Sequence, residues 1–200
     1  MILTTTAPSL KQPYEHTGKF SNCLSPVKNK TITDWTIDQL NIRPYQHILE
    51  IGYASGYALQ EVARKLKIGF LAGIDESMIR YRQAYRRNKK LIRDQLLQLH
   101  IGSINELPYP HHYFHSIYGS NISLRGKEPQ YALLQLSNLL KSGGRMVMVL
   151  QPEETDSEEG VQRIAEKLKQ DYLYAGFRNI QIEFRDMHPV TGIAVTGFKE

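Results

Sequence analysis

Glu50 closes the apolar run His47-Ile48-Leu49 and is followed by Ile51-Gly52-Tyr53-Ala54-Ser55-Gly56, in which small residues stand at alternate positions. Small residues let a ligand approach backbone amides, and a helix starting just beyond them presents unpaired N–H groups. The spacing of Leu59, Val62, Ala63 and Leu66 supplies that helix, so the stretch suits a nucleotide-like ligand at a strand–turn–helix. A second apolar run, Gly69 to Ile74, ends in another carboxylate, Asp75, 19 positions after Gly56. The dinucleotide fingerprint would need glycines where Gly52, Ala54 and Tyr57 stand, and a tyrosine at the last position blocks the close packing of helix on strand. Taken without a ligand, the same residues make an ordinary strand–turn–helix, and Asp75-Glu76-Ser77 make a helix cap.

Two other clusters could do chemistry. His111-His112-x-x-His115 has a spacing that converges on one helix face, but here it lies in a turn entering a strand, so no metal site is expected. The same three histidines are the candidates for a general base, with no choice among them, and the catalytic residue stays unassigned. Arg80, Arg82, Arg86, Arg87, Lys89, Lys90 and Arg93 crowd one segment with Tyr81 and Tyr85. That is either a nucleic-acid surface or the solvated side of an amphipathic helix with Met78, Ile79, Tyr81 and Tyr85 or Leu91 inward, and the second is expected.

The 200 residues suffice for one substantial core, and 41% hydrophobic with 22% charged residues fits a globular protein. A net charge of +5 favours an anionic partner without requiring one. No apolar stretch is long enough to span a bilayer, and the first residues, Met1-Ile2-Leu3-Thr4-Thr5-Thr6, lack the pattern of a secretory signal. With Cys23 the only cysteine, the expectation is a cytoplasmic protein without internal disulfides.

The elements that must position these residues follow from periodicity. Residues 1 to about 30 read as an extended arm, and Thr33 to Leu40 as a helix stopped by Pro44. Strands are predicted from His47 to the carboxylate Glu50 and at 69–75, 96–102, 114–119, 145–150, 180–184 and 193–198, with helices after Gly56, over 77–88, 130–140 and 161–174. Tyr131, Leu134, Leu136 and Leu140 give the apolar spacing of the third of these helices, and Gly143-Gly144 read as its C-cap. The pattern predicts an α/β fold, a doubly wound and mostly parallel seven-stranded sheet with a C-terminal antiparallel hairpin.

The spacing Glu50-x-Gly52-x-Ala54-x-Gly56 resembles motif I of the Rossmann-like, class I S-adenosylmethionine-dependent methyltransferases, E-x-G-x-G-x-G, with Ala54 replacing one glycine. Gly73-Ile74-Asp75-Glu76-Ser77-Met78 resembles that family's G-x-D-x-S-x-x-M segment, and Lys141-Ser142-Gly143-Gly144-Arg145 its L-K-P-G-G turn. The likeness runs from residue 32 to the end and is nearest to the small-molecule, ubiquinone/menaquinone-type subgroup. It implies S-adenosylmethionine as cofactor, with Asp75 accepting from both ribose hydroxyls. Gly102-Ser103-Ile104-Asn105-Glu106-Leu107-Pro108 stands where the family carries G-D-A-x-x-L-P, so Ser103, with the backbone at Ile104, takes the place of an aspartate that accepts from the adenine amino group. Phe114-His115 replaces the usual F-D, and Gly119-Ser120-Asn121 would line the space between cofactor and acceptor. The cofactor-binding set implied is Glu50, Gly52, Tyr53, Ala54, Gly56, Asp75, Glu76, Ser103, Ile104, Gly119 and Ser120.

The resemblance implies a single methyltransferase domain over 1–200, with residues 1–40 capping the pocket, and methyl transfer to a small-molecule or lipophilic acceptor. Asn121 lacks the Pro-Pro-aromatic continuation that base-methylating enzymes use, which counts against a nucleic-acid substrate. The departures at Ala54, Ser103 and His115 support an alternative, a non-catalytic descendant that binds or regulates. A second alternative is an RNA methyltransferase guided by the basic helix.

Overall fold

The computed structural model describes residues 26–122, 129–153 and 157–200. The arm of residues 1–25 lies outside them. Seven strands form one sheet: β1 (His47–Ile51), β2 (Phe70–Asp75), β3 (Leu97–Ile101), β4 (Phe114–Ser120), β5 (Leu140–Leu150), β6 (Arg178–Arg185) and β7 (Gly192–Phe198). Their order is β3-β2-β1-β4-β5-β7-β6, parallel from β3 to β5, with β7 antiparallel to both β5 and β6. The predicted doubly wound sheet with a terminal hairpin is therefore present.

Alternation along the central strands splits the core into two layers. Leu49, Ile51, Met146 and Met148 pack with helices α5 (Pro129–Leu139) and α6 (Glu158–Tyr174) through Leu133, Leu136, Val161 and Ala165. Ile48, Tyr118, Val147 and Val149 point the other way, toward α1 (Pro26–Gln39), α2 (Tyr57–Lys65) and α3 (Met78–Arg87), meeting Trp35, Leu59, Val62 and Ala84. Strand order reverses between β1 and β4, and at such a switch point the following connections diverge and leave a crevice at the strands' carboxyl ends.

Several boundaries differ from the predicted ones for physical reasons. The first helix begins at Pro26, ahead of the expected Thr33, with Trp35, Thr36 and Leu40 buried. On α3, Met78 and Ile79 are exposed at 50% and 69%, and the buried stripe runs instead through Ala84 and Asn88, four residues apart. A short helix α4 (Lys89–Arg93) follows Asn88 and was not predicted. Likewise Tyr131 and Leu134 of α5 face outward while Leu133, Leu136 and Leu139 are buried.

Gly143-Gly144 do not cap α5. The helix ends at Leu139 and β5 starts at once, with Leu140 opposite Phe114 and Arg145 opposite Ser116, so residues 141–144 form a bulge. The Gly143 N–H donates to Lys199 O at 2.7 Å and the Lys199 N–H to Gly144 O at 2.8 Å, which uses the glycines to join the bulge to the C-terminal strand.

Candidate active site

β1 is buried along nearly its whole length, and at its end the chain must leave the sheet within a few residues to start α2. It does so through left-handed backbone at three alternate positions, Gly52 (φ 69°), Ala54 (φ 47°) and Gly56 (φ 74°). The Gly52 N–H donates to Ile74 O and the Gly56 N–H to Tyr53 O, both at 2.7 Å, closing the turn. Ala54 carries a Cβ in a conformation that glycine adopts more cheaply.

Asp75, at the end of β2 and only 6% exposed, fixes this turn from beside it. Its Oδ2 accepts from the Ala54 N–H at 3.1 Å and its Oδ1 from the Ser77 N–H at 2.9 Å, while Arg80 stands 3.6 Å away. Ser77 in turn caps α3, its Oγ accepting from the Arg80 N–H at 3.3 Å. The cap reading and the ligand reading of Asp75 are thus compatible. A carboxylate has about four lone-pair positions, and two intramolecular bonds leave acceptor capacity on each oxygen.

α3 pins the turn from its far end. The Asn88 Nδ2 donates to Gly56 O and Ala84 O, both at 3.0 Å, and the Arg87 Nε donates to Ser55 O at 3.0 Å. A Cβ on Gly56 would stand 2.6 Å from Asn88 Nδ2 and 2.9 Å from the Ala84 Cβ, so glycine is required there by packing as well as by φ. Asn88 is 2% exposed and was missed in the sequence. Its signal was a lone amide four residues beyond Ala84 on the inward stripe.

Glu50 is buried on the α1/α2 side of β1, where its register partner on β4 is Tyr118. The Tyr118 hydroxyl donates to Glu50 Oε2 at 2.9 Å. Burial pushes the Glu50 carboxyl up to about 8, a rise that the Tyr118 bond opposes and the nearby Asp75 charge reinforces. Burial, with Glu50 beside it, also holds the Tyr118 hydroxyl well above the usual phenol range. At neutral pH the motif therefore presents Glu50 as a neutral acid.

The sequence-predicted residues converge at the carboxyl ends of β1 to β4. Gly52, Ala54 and Gly56 form the turn, Asp75 and exposed Glu76 follow β2, Ser103 and Ile104 follow β3, and Gly119 and Ser120 end β4. The Tyr53 side chain does not join them. Its ring lies in the core against Gly73, with its hydroxyl donating to His100 O at 3.0 Å. At the β3 end Glu106 folds back over the 3-10 turn Ile104–Glu106 so that its Oε2 accepts from the Ser103 N–H at 3.1 Å, while its own N–H donates to Ser103 O at 3.0 Å. A carboxylate that position 103 lacks is thus present beside it, supplied from Glu106. The sequence signal was Ser103-x-x-Glu106 itself.

Ser120 connects the site to α1, with the oxygens of Ser120 and buried Thr36 2.9 Å apart. Next to it, Asn121 Oδ1 accepts from the Gln151 N–H at 2.8 Å, and the Gln151 Nε2 donates to Val190 O at 2.8 Å. This relay leads to a cavity of about 240 Å³ lined by Thr31, Gln151, Asp186, Met187 and His188. A larger hollow of about 520 Å³ lies elsewhere, between α3 and the outer strand β3, lined by Tyr81, Tyr85, Gln98 and His100 among others.

The histidine cluster is built into the opposite edge of the sheet, where β1 and β4 begin. His115 Nδ1 accepts from the His47 N–H at 3.0 Å, and His112 Nδ1 lies 3.2 Å from Leu140 O. Burial and the Lys141 charge lower the pKa of both His47 and His115. His111, His112 and His115 thus lie at the start of β4, at the other end of the strand from the turn at Gly52. No helix among the described residues is long and apolar enough to cross a membrane.

A family model described as a methyltransferase domain matches residues 49–148, from the middle of β1 to the end of β5. An uncharacterized methyltransferase of Bacillus subtilis (strain 168), YdaC, is 30% identical over 174 residues, covering 86% of this chain and 94% of its own. Among solved structures, geranyl diphosphate methyltransferase in complex with S-adenosylmethionine superposes with a TM-score of 0.64 at 12% identity, covering 84% of each chain. The [4+2]-cyclase SpnF superposes with a TM-score of 0.66 at 17% identity over 84% of this chain and 80% of its own. Such low identities show a shared fold, whereas the family model and the Bacillus relative show descent: the chain belongs to the methyltransferase family with the Rossmann-like fold.

Proposed function

We propose that this protein transfers a methyl group from S-adenosylmethionine to a small acceptor. The observation that carries this reading is the placement of Asp75 beside the Gly52–Gly56 turn, buried and hydrogen-bonded to the turn's Ala54 amide. A carboxylate held in this way is pre-oriented to accept from vicinal hydroxyls such as those of a ribose, at no further cost in side-chain entropy. Glu106, drawn onto Ser103, would be the side-chain acceptor for an exocyclic adenine amine. The residues present therefore suit an adenosine-bearing group.

When bound, S-adenosylmethionine supplies an already activated methyl, so the protein has mainly to align an acceptor and exclude water. In this reading Ser120, fixed by Thr36, and Asn121, fixed by Gln151, set the rim between cofactor and acceptor. The cavity walled by Thr31, Gln151, Asp186, Met187 and His188 receives the acceptor. Its 240 Å³ favours a small molecule, and its mixture of polar groups with Met187 favours one that carries a hydrogen-bonding function. α1 closes over this side through Trp35 and Thr36. The setting proposed is the cytoplasm.

Incubation with methyl-labelled S-adenosylmethionine and a fractionated small-molecule extract tests the reading. Label should appear in one fraction with the wild-type protein and be lost with Asp75→Asn. Label appearing equally with both proteins would contradict the assignment of Asp75.

A further inference from the structure

Gly119 of β4 lies beside Ile51 of β1, so Gly52 and Gly119 are the two bare backbone positions flanking the crevice at the switch point. The space their missing side chains leave is occupied by one residue, Ile122. A Cβ built on Gly52 would stand 2.5 Å from Ile122 Cγ2, and one built on Gly119 would stand 2.3 Å from Ile122 Cδ1. The fold-back that puts it there is made by Asn121, whose left-handed backbone (φ 49°) turns the chain at the end of β4. Asn121 is itself fixed to β5, its N–H donating to Val149 O at 2.8 Å and its Oδ1 accepting from the Gln151 N–H. The backbone leading into Ile122 is thereby held, and a β-branched side chain has few alternative rotamers.

We propose that Ile122 sets the affinity of the cofactor crevice by competing for it: its side chain must leave Gly52 and Gly119 before a ligand chain is seated against them. The proposal rests on the cofactor reading given above and adds to it the residue that opposes binding. It also gives Gly52 and Gly119 a double role, since the bare backbone that would admit a ligand is the surface on which Ile122 packs. Removing this partly buried isoleucine should tighten binding about tenfold, equivalent to about 1.4 kcal/mol.

Calorimetric titration of S-adenosylmethionine and S-adenosylhomocysteine into wild type, Ile122→Val, Ile122→Ala and Ile122→Phe, with thermal unfolding of each ligand-free protein, tests this. Affinity should rise in the order Phe, Ile, Val, Ala, while the ligand-free melting temperature falls slightly from Ile to Ala. Equal or weaker binding by Ile122→Ala, with wild type still binding, would overturn the proposal and leave the cofactor reading standing. Binding by none of the folded proteins would remove both. Ile122→Val keeps the packing and preserves the comparison if a more drastic variant fails to fold.

Discussion

Tyr118 and Glu50 face each other across neighbouring parallel strands, and the Tyr118 hydroxyl donates to Glu50 Oε2 at 2.9 Å in a fully buried setting. The pair makes stability depend on pH. In the folded protein Glu50 releases its proton near pH 8, against an ordinary value of 4.5 in the unfolded chain. Between those values the native state holds a proton that the unfolded state has lost, so this group's contribution is full below about pH 4.5 and is lost as pH rises to about 8. Its slope is at most about 1.4 kcal/mol per pH unit. Glu50→Gln keeps an acceptor for Tyr118 and cannot titrate. Urea denaturation at pH 5, 6, 7 and 8 should show a wild-type-minus-variant difference that declines with pH, and a constant difference would contradict the buried-acid assignment.

Ala54 sits at φ 47° between two glycines that share its handedness. Left-handed backbone costs an alanine about 1–2 kcal/mol, and replacing it by glycine returns about 0.4–1 kcal/mol to the unfolded chain as entropy. Ala54→Gly should therefore stabilise the protein by about 0.5–1 kcal/mol. Thermal or denaturant unfolding checks the sign, and destabilisation would mean that the methyl makes contacts worth more than the backbone strain.

Asn88 holds the start of α2 through Gly56 O and is itself almost completely buried. Asn88→Ala leaves that carbonyl with one bond fewer and opens space beside Gly56, so a loss of about 1–3 kcal/mol is expected. Hydrogen exchange should quicken at the first amides of α2 more than along β5. Arg87→Ala, which removes an exposed bond to Ser55 O, should cost about 0.5 kcal/mol and serves as the comparison.

The parts of this fold governed by local periodicity were legible in the sequence. The buried β1 run and the alternation of apolar strands with amphipathic helices specify the sheet and its hairpin, and the positions of Gly52, Gly56 and Asp75 specify where the chain turns at its edge. What escaped was set by contacts distant in sequence. Glu50 meets Tyr118 across 68 positions and Ser55 meets Arg87 across 32, and no spacing rule announces either pair. Met78 and Ile79 misled because their hydrophobicity suggested burial, whereas the stripe of α3 that reaches the sheet is spent on Ala84 and on an amide serving the turn. Gly143-Gly144 misled in the opposite way, since a glycine pair after a helix suits a cap and a bulge equally well.

The most direct test of the account is calorimetric titration of S-adenosylmethionine and its demethylated product into the wild-type protein and Asp75→Asn. On the proposed reading of Asp75 as the acceptor for two ribose hydroxyls, its replacement should weaken binding by at least about tenfold, with the variant folded and the wild type binding both ligands. A folded wild-type protein that binds neither ligand at millimolar concentration would contradict the cofactor assignment.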